Sequence, residues 1–381
     1  MWSKGLSAKE IFDGIERDEV TERPAESALK MVGDWNGNAW NPAASTQPGV
    51  YAWGEAHLLY AYMVQYEATG ERRYLETLAK RIRVMLDLRD SLHGKRDEVR
   101  GCIMPSWGSV YFSQNTPYAG KRTCWLVHAG MILYPMARFA REVRGSAELK
   151  ERFGELALEI IVVADEILQA YEPYWREQES FTGDGFEGWY CEPILGIDRP
   201  MPMNQMNAWG RVMLEVDLAI REPLWQEHVE SLARFFRNRI VFSVDGSCVW
   251  SYWPGGDFKV SGCDGRGIKG EDFSHAAING DFALACCRAG VVFSESDIVA
   301  MARTVTEKIH LGGGNFADFI DGSGVSGAYC NSVAWWGELA EFDEEIARLI
   351  ELRYRHCQPS VGGAAGMLAA AMVAKYGDDT V

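Results

Sequence analysis

Residues 51–90 read YAWGEAHLLYAYMVQYEATG followed by ERRYLETLAKRIRVMLDLRD. The first helix-length stretch is apolar nearly all round, whereas the second confines its polar residues to one face. A helix that is apolar on every side is buried, and an amphipathic one faces water. The pair therefore reads as an inner helix followed by an outer helix.

The same two-helix phrase recurs along the chain. CWLVHAGMILYPMARFAREVRG (124–145) is answered by SAELKERFGELALEIIVVADEIL (146–168), and MNQMNAWGRVMLEVDLAI (203–220) by PLWQEHVESLARFFRNRI (223–240). SHAAINGDFALACCRAG (274–290) precedes SESDIVAMARTVTEKI (294–309), and AYCNSVAWWGELAEF (328–342) precedes DEEIARLIELRYR (343–355). A last apolar helix, VGGAAGMLAAAMVAKYG (361–377), needs an outer partner, which AKEIFDGIERDEV (8–20) or ESALKMV (26–32) supplies if the ring closes. The expected architecture is all-α: one α/α toroid, or barrel, of about six helical hairpins, forming a single domain over residues 1–381. An open helical solenoid is the alternative, but its repeats are more uniform in length.

A toroid gathers the N-terminal ends of its inner helices at one mouth, with their partly positive ends and unpaired N–H groups. Polar residues fall there in copy after copy: Glu55 and His57, then His128, then Asn204, Gln205 and Asn207, then His275 and Asn279, then Tyr329 and Asn331. Any one of them alone reads as a helix cap or a core hydrogen bond. Their convergence on one rim points to a site.

Four long connections should lie over that mouth: residues 34–53, 100–122, 180–202 and 244–270. Loops of this length inside a compact domain are usually functional. They carry Trp35, Trp40, Trp107, Tyr111, Trp189, Tyr190, Trp250, Tyr252 and Trp253. Aromatic faces interleaved with polar groups suit sugar rings, and equally an apolar or cationic ligand.

Composition narrows the partners. A formal net charge of -16, from 38 Lys plus Arg against 54 Asp plus Glu, argues against nonspecific binding to nucleic acid or to an anionic membrane. No apolar run reaches the length of a membrane span, and residues 1–20 lack the apolar core of an export signal, so a cytoplasmic location is expected. Nine scattered cysteines fit reduced thiols there, and no HExxH or Cys/His cluster suggests a metal, so neither metal nor cofactor is expected. The expected ligand is a small molecule or an oligosaccharide, and homo-oligomerisation is compatible with the architecture.

In the order WGEAHLLYAYMVQYEATGERRYL, HAGMILYPMARFA, MPMNQMNAWGRVMLEVD, WSYWP, EDFSHAAINGDFAL and VVFSESD, the chain resembles a known group over most of residues 30–345. These are the bacterial α/α-toroid proteins related to glucuronan and alginate polysaccharide lyases, and to the C-terminal domain of glucuronyl C5-epimerases. MNQMNAWG and EDFSHAAIN are the most specific pieces. The resemblance implies β-elimination on a uronate-containing saccharide, with His275 as base, Tyr329 as acid and Asn204 as the amide facing the uronate carboxyl.

The chemistry is consistent with those residue types. A proton next to a carboxylate becomes removable when hydrogen-bond donors such as Asn204, with Arg266 or Lys269, stabilise the enolate-like intermediate. An imidazole titrates near working pH, which suits His275 to taking that proton. Glu271 and Asp272 set its tautomer or serve as favourable charges at a helix start. Return of the proton to the opposite face makes the same constellation a C5-epimerase. Trp40, Glu55, Trp107, Tyr111, Asn207, Trp253, Arg266, Asp272 and Asn279 are the expected substrate contacts.

A second resemblance lies in the third loop. Cys191 and Glu192, with Asp34 and Trp40 in the first loop and His128, resemble the linalool dehydratase/isomerase type of toroid. It implies metal-free acid–base chemistry on a terpenoid alcohol by Asp34, His128, Cys191 and Glu192. A buried loop thiol is the simpler account of Cys191. A sugar-binding toroid without turnover is the non-enzymatic alternative.

Overall fold

A computed structural model describes residues 51–110, 113, 116–195, 199–254, 270–356 and 364–377. A π-helical turn, Tyr51–Glu55, leads into α1 (Ala56–Thr69), which Gly70 ends in a left-handed conformation. The outer helix α2 (Arg72–Asp87) follows and buries Leu75, Leu78, Ile82 and Met85, a spacing of three and four that gives it one apolar face. Next come α3 (Leu126–Gly145) and α4 (Ala147–Tyr171), then α5 (Met203–Ile220) and α6 (Gln226–Arg237). The fourth pair is α7 (Phe273–Arg288) with α8 (Glu295–Arg303). The fifth pairs the 3-10 helix Cys330–Glu341 with α9 (Glu345–His356), and α10 (Ala364–Tyr376) ends the described chain.

The inner elements pack in cyclic order: α1 on α3, α3 on α5, α5 on α7, α7 on the 3-10 helix, that helix on α10, and α10 back on α1. The last contact closes the α/α toroid. The segments expected to lie outside α10, 8–20 and 26–32, fall outside the described residues. Helices α3 and α5 pack backbone to backbone, and a Cβ on Gly130 would stand 2.8 Å from the backbone of Ala208. Only glycine fits there.

Two features differ from the sequence reading. The fifth inner element is a 3-10 helix, whose rise of about 2.0 Å per residue lets twelve residues span the ring depth that α1 covers with fourteen. The connections between helices also contain four two-stranded antiparallel ribbons: β1 (Gly108–Ser109) with β2 (Thr123–Cys124), β3 (Trp175–Glu179) with β4 (Phe186–Tyr190), β5 (Val241–Phe242) with β6 (Cys248–Val249), and β7 (His310–Gly312) with β8 (Asn315–Phe316), the last in a connection the sequence reading had not singled out. Strands this short carry too little alternation to be read in advance.

The C-terminal ends of the inner elements are tied together by buried charge. Arg138 of α3 binds Glu67 of α1 at 2.6 Å and Glu338 of the 3-10 helix at 2.9 Å. Lys375 of α10 reaches the same two carboxylates at 2.6 and 3.1 Å, and Arg288 of α7 reaches Glu338 at 3.0 Å. Burial alone would raise the Glu338 carboxyl, but Arg138, Lys375 and Arg288 hold it well below its ordinary range. Five inner elements thus share one ionic cluster at the end away from the rim residues. No helix among the described residues is long and apolar enough to cross a membrane.

Candidate active site

Helix α7 begins at Asp272, whose side chain caps it by accepting from the N–H groups of Ser274 at 3.2 Å and His275 at 3.1 Å. The other carboxylate oxygen lies 2.5 Å from His275 Nδ1. That bond places the ring proton on Nδ1 in the neutral imidazole and leaves the Nε2 lone pair available. Burial disfavours the imidazolium, yet the hydrogen bond and charge of Asp272, with the charge of Glu271, outweigh it and raise the His275 pKa. The His275 side chain is 35% exposed, so its free edge is reachable.

His275 opens on a cavity of about 240 Å³. Trp53, His57, Tyr329, Asn331, Ser332 and Trp335 share its wall. Trp53 is the hub of this end of the ring, with His57, His128 and His275 each set edge-on to it, their ring centres 6.3, 6.2 and 6.1 Å away. His57 also meets Trp335 edge-on at 3.8 Å. Burial, helped by the Arg211 charge, holds His57 well below its ordinary pKa, and burial drives His128 down to about 3. Both are therefore neutral near pH 7. Tyr329 has its pKa raised by burial and by Asp272 and Asp318, so its hydroxyl keeps its proton.

Behind His275 lies a buried polar chain. Glu271 Oε2 accepts from Trp250 Nε1 at 2.6 Å and from Asn279 Nδ2 at 2.5 Å, and Asn279 Oδ1 accepts from Asn207 Nδ2 at 2.7 Å. Burial lifts the Glu271 carboxyl to about 8, against the opposing pull of His275. Asn204, one turn before Asn207 on α5, is buried, and its Oδ1 meets no donor among the described residues. Tyr252 packs on His275 at 5.5 Å between ring centres and accepts from Gln205 Nε2 at 3.2 Å.

The rim reading thus separates into groups. His275 and Tyr329 come to one cavity wall; Asp272 orients His275; and Asn207 and Asn279 form the polar chain beneath. His128 lies behind Trp53. Three expected site residues are engaged by partners in the helical framework. Glu55 is buried in a two-bond ion pair with Arg81 of α2, at 2.7 Å for each bond. Trp107 is 1% exposed and donates to the Met85 carbonyl. Glu192 Oε1 binds Arg100 at 3.0 Å and accepts from the Leu126 N–H at 2.6 Å, so it anchors the start of α3. Cys191 beside it is buried. Trp253 sits next to Tyr252 with the Arg199 guanidinium 4.3 Å over its ring. Asp34, Trp40, Tyr111, Arg266 and Lys269 lie outside the described residues.

Trp53, Ser332 and Trp335 were not singled out by the sequence, and Tyr252 was named there only as one of the loop aromatics. An aromatic residue at the start of an apolar helix carries no signal that separates a cavity wall from core. Among the described residues, no group of three or more His, Cys, Asp or Glu is arranged to hold a metal ion.

No family model and no curated protein sequence matches the chain. Solved structures do match in fold. The α-1,6-mannanase of Salegentibacter sp. superposes with a TM-score of 0.54 at 13% identity, covering 99% of both chains. A sugar epimerase from a ruminal bacterium gives 0.55 at 13% identity over 98% of this chain and 99% of that one. The cellobiose 2-epimerase of Bacillus thermoamylovorans gives 0.54 at 10% identity over 91% and 86%. The chain therefore has the α/α-toroid fold found in these glycosidase and epimerase structures.

Proposed function

We propose that this protein is a carbohydrate-active enzyme whose reaction starts with removal of a proton from a sugar carbon next to a carboxylate or carbonyl group. The observation that carries the reading is the Asp272–His275 pair, at 2.5 Å, opening on a cavity whose wall also holds Tyr329. His275 Nε2 takes the proton, and Asp272 stabilises the imidazolium that forms. Negative charge then grows on the substrate oxygen, where the gathered helix N-termini and amide donors oppose it. Trp53 and Trp335 line the cavity, and a saccharide ligand is supported by the mannanase neighbour bound to mannotriose and by the sugar epimerase neighbour.

Two outcomes follow from one carbanion. Tyr329, half-buried and protonated, suits protonation of a leaving glycosidic oxygen, which gives β-elimination from a uronate. The other outcome is epimerisation, in which the carbanion is reprotonated on its opposite face; His57, a second imidazole on the same cavity, serves as that donor only if substrate binding first protonates it, against the burial that keeps it neutral in the free protein. The terpenoid reading loses support because Glu192 is held by Arg100 and the α3 backbone.

The test is incubation in D₂O with uronate-containing oligosaccharides and with reducing disaccharides, followed by mass spectrometry and ultraviolet absorbance. Deuterium on carbon without new absorbance identifies epimerisation, and an absorbing unsaturated product identifies elimination. Neither signal on any sugar, with His275→Ala no different from the parent, would overturn the reading.

A further inference from the structure

Asn331 sits in the first turn of the 3-10 helix Cys330–Glu341 and on the cavity wall. Two consecutive residues of the outer helix α9 hold it. Arg353 Nε donates to the Asn331 side-chain Oδ1 at 2.9 Å, and Tyr354 Oη donates to its main-chain carbonyl at 3.0 Å. A guanidinium has donors and no acceptor, so the side-chain oxygen must be the atom that faces Arg353. The Nδ2 group is then turned away from α9, and no described residue takes its hydrogens.

The approach of α9 is itself built in. Gly314, at φ +77°, lies under Arg353, and a Cβ there would stand 2.9 Å from the Arg353 Cα. Only a residue without a side chain lets the outer helix come close enough to fix the amide. The amide is therefore fixed through an outer helix, with its oxygen on Arg353, in a residue that lines the cavity.

We infer that Asn331 is the group that orients the substrate, its Nδ2 donating to an sp² oxygen attached to the carbon that His275 deprotonates. This rests on the reaction proposed above. A carboxylate oxygen of a uronate and a carbonyl oxygen of a reducing sugar share that chemistry, since both accept without donating. As the carbanion forms, charge moves onto this oxygen and the hydrogen bond strengthens. Arg353 acts through Asn331 and is a positioning residue.

The test uses Asn331→Asp, Arg353→Lys and Arg353→Met in the full chain, with folding checked by circular dichroism. Aspartate keeps a partner for Arg353 and removes the donor. Binding is followed by tryptophan fluorescence with three probes: a uronate disaccharide, a reducing disaccharide, and its methyl glycoside, which has no sp² oxygen. The parent protein is expected to bind one of the first two at least roughly tenfold tighter than the glycoside, and Asn331→Asp to lose that preference. Arg353→Lys should retain it and Arg353→Met should weaken it. In turnover, Asn331→Asp should lower kcat about 100-fold while KM moves less. No preference in the parent, or a preference that survives in Asn331→Asp, would overturn the assignment. If the preference depends on Asn331 but no deuterium enters any bound sugar, the reaction reading fails and the donor assignment stands.

Discussion

Asp272 does two jobs with its two oxygens: one caps α7 through the Ser274 and His275 N–H groups, and the other meets His275 Nδ1 at 2.5 Å. A base built this way is aimed by the helix start itself.

Asn is as good a helix cap as Asp, so Asp272→Asn separates the two jobs. The helix should remain, but His275 loses an anion that raises its pKa. Because the base form of His275 grows as pH rises through that raised pKa, the acidic limb of the kcat/KM profile should lie above the ordinary histidine value and move down in the variant. Activity should fall at least roughly tenfold, part of the ~10²–10⁴-fold that a positioned base supplies. A pH–rate profile with an unmoved acidic limb would remove Asp272 from the mechanism.

Glu271 makes a prediction about stability. Its folded pKa of about 8 lies above its ordinary value of 4.5. Between those two values the folded chain keeps a proton that the unfolded chain releases, so this group makes stability fall as pH rises through the window. Glu271→Gln preserves an acceptor for Trp250 and Asn279 and cannot titrate. Urea unfolding at about pH 5 and about pH 9 should show the parent losing more stability than the variant across that interval. Equal losses would show that Glu271 does not titrate there.

The fold was legible because burial is written in the pattern of each helix. The α1 run from Ala56 to Gln65 is wholly buried, while α2 buries only its three-and-four-spaced residues. His275 was legible because it repeats a rim position and follows an acid at capping distance. Trp53 and Trp335 were not, since their roles depend on three histidines drawn from α1, α3 and α7 around one indole. Tyr252 reaches His275 from a loop 23 residues earlier in the chain, and Asn331 owes its orientation to Arg353 on an outer helix. Such relations exist only after the ring has closed. The partners of Glu55 and Glu192 were hidden for the same reason: the arginines that pair with them, Arg81 and Arg100, come from other segments of the chain.

The ionic cluster at the other end of the ring should be where the toroid is most sensitive to loss of a single charge. Glu338 faces Arg138, Arg288 and Lys375, and its carboxyl is held well below 4.5. Its contribution is therefore present above the unfolded pKa and is lost as pH falls through the lower folded value. Glu338→Ala leaves buried cations under-neutralised, and the cost should be about 3–5 kcal/mol in chemical unfolding. An effect below about 1 kcal/mol would mean that the cluster is solvated and does not bind the ring together.

Glu192 separates the two enzyme classes that the sequence left open. If it is framework, its work is done by Oε1, which neutralises Arg100 and satisfies the Leu126 N–H at the start of α3. Glu192→Gln keeps an acceptor but removes the charge opposite Arg100, which is itself almost wholly buried and also pairs with Asp97 at 2.8 Å. The melting temperature should drop by several degrees, since ~1 kcal/mol moves Tm by about 2–4 °C in a chain larger than 150 residues. Sugar turnover per folded molecule should change by less than about threefold, within the reach of a small shift in geometry. Arg100→Lys should give the same signature, because a lysine cannot serve Asp97 and Glu192 together with the planar fork that arginine provides. A Glu192→Gln protein with unchanged melting and abolished turnover would instead make this carboxyl a proton donor, and would return the third loop to the centre of the chemistry.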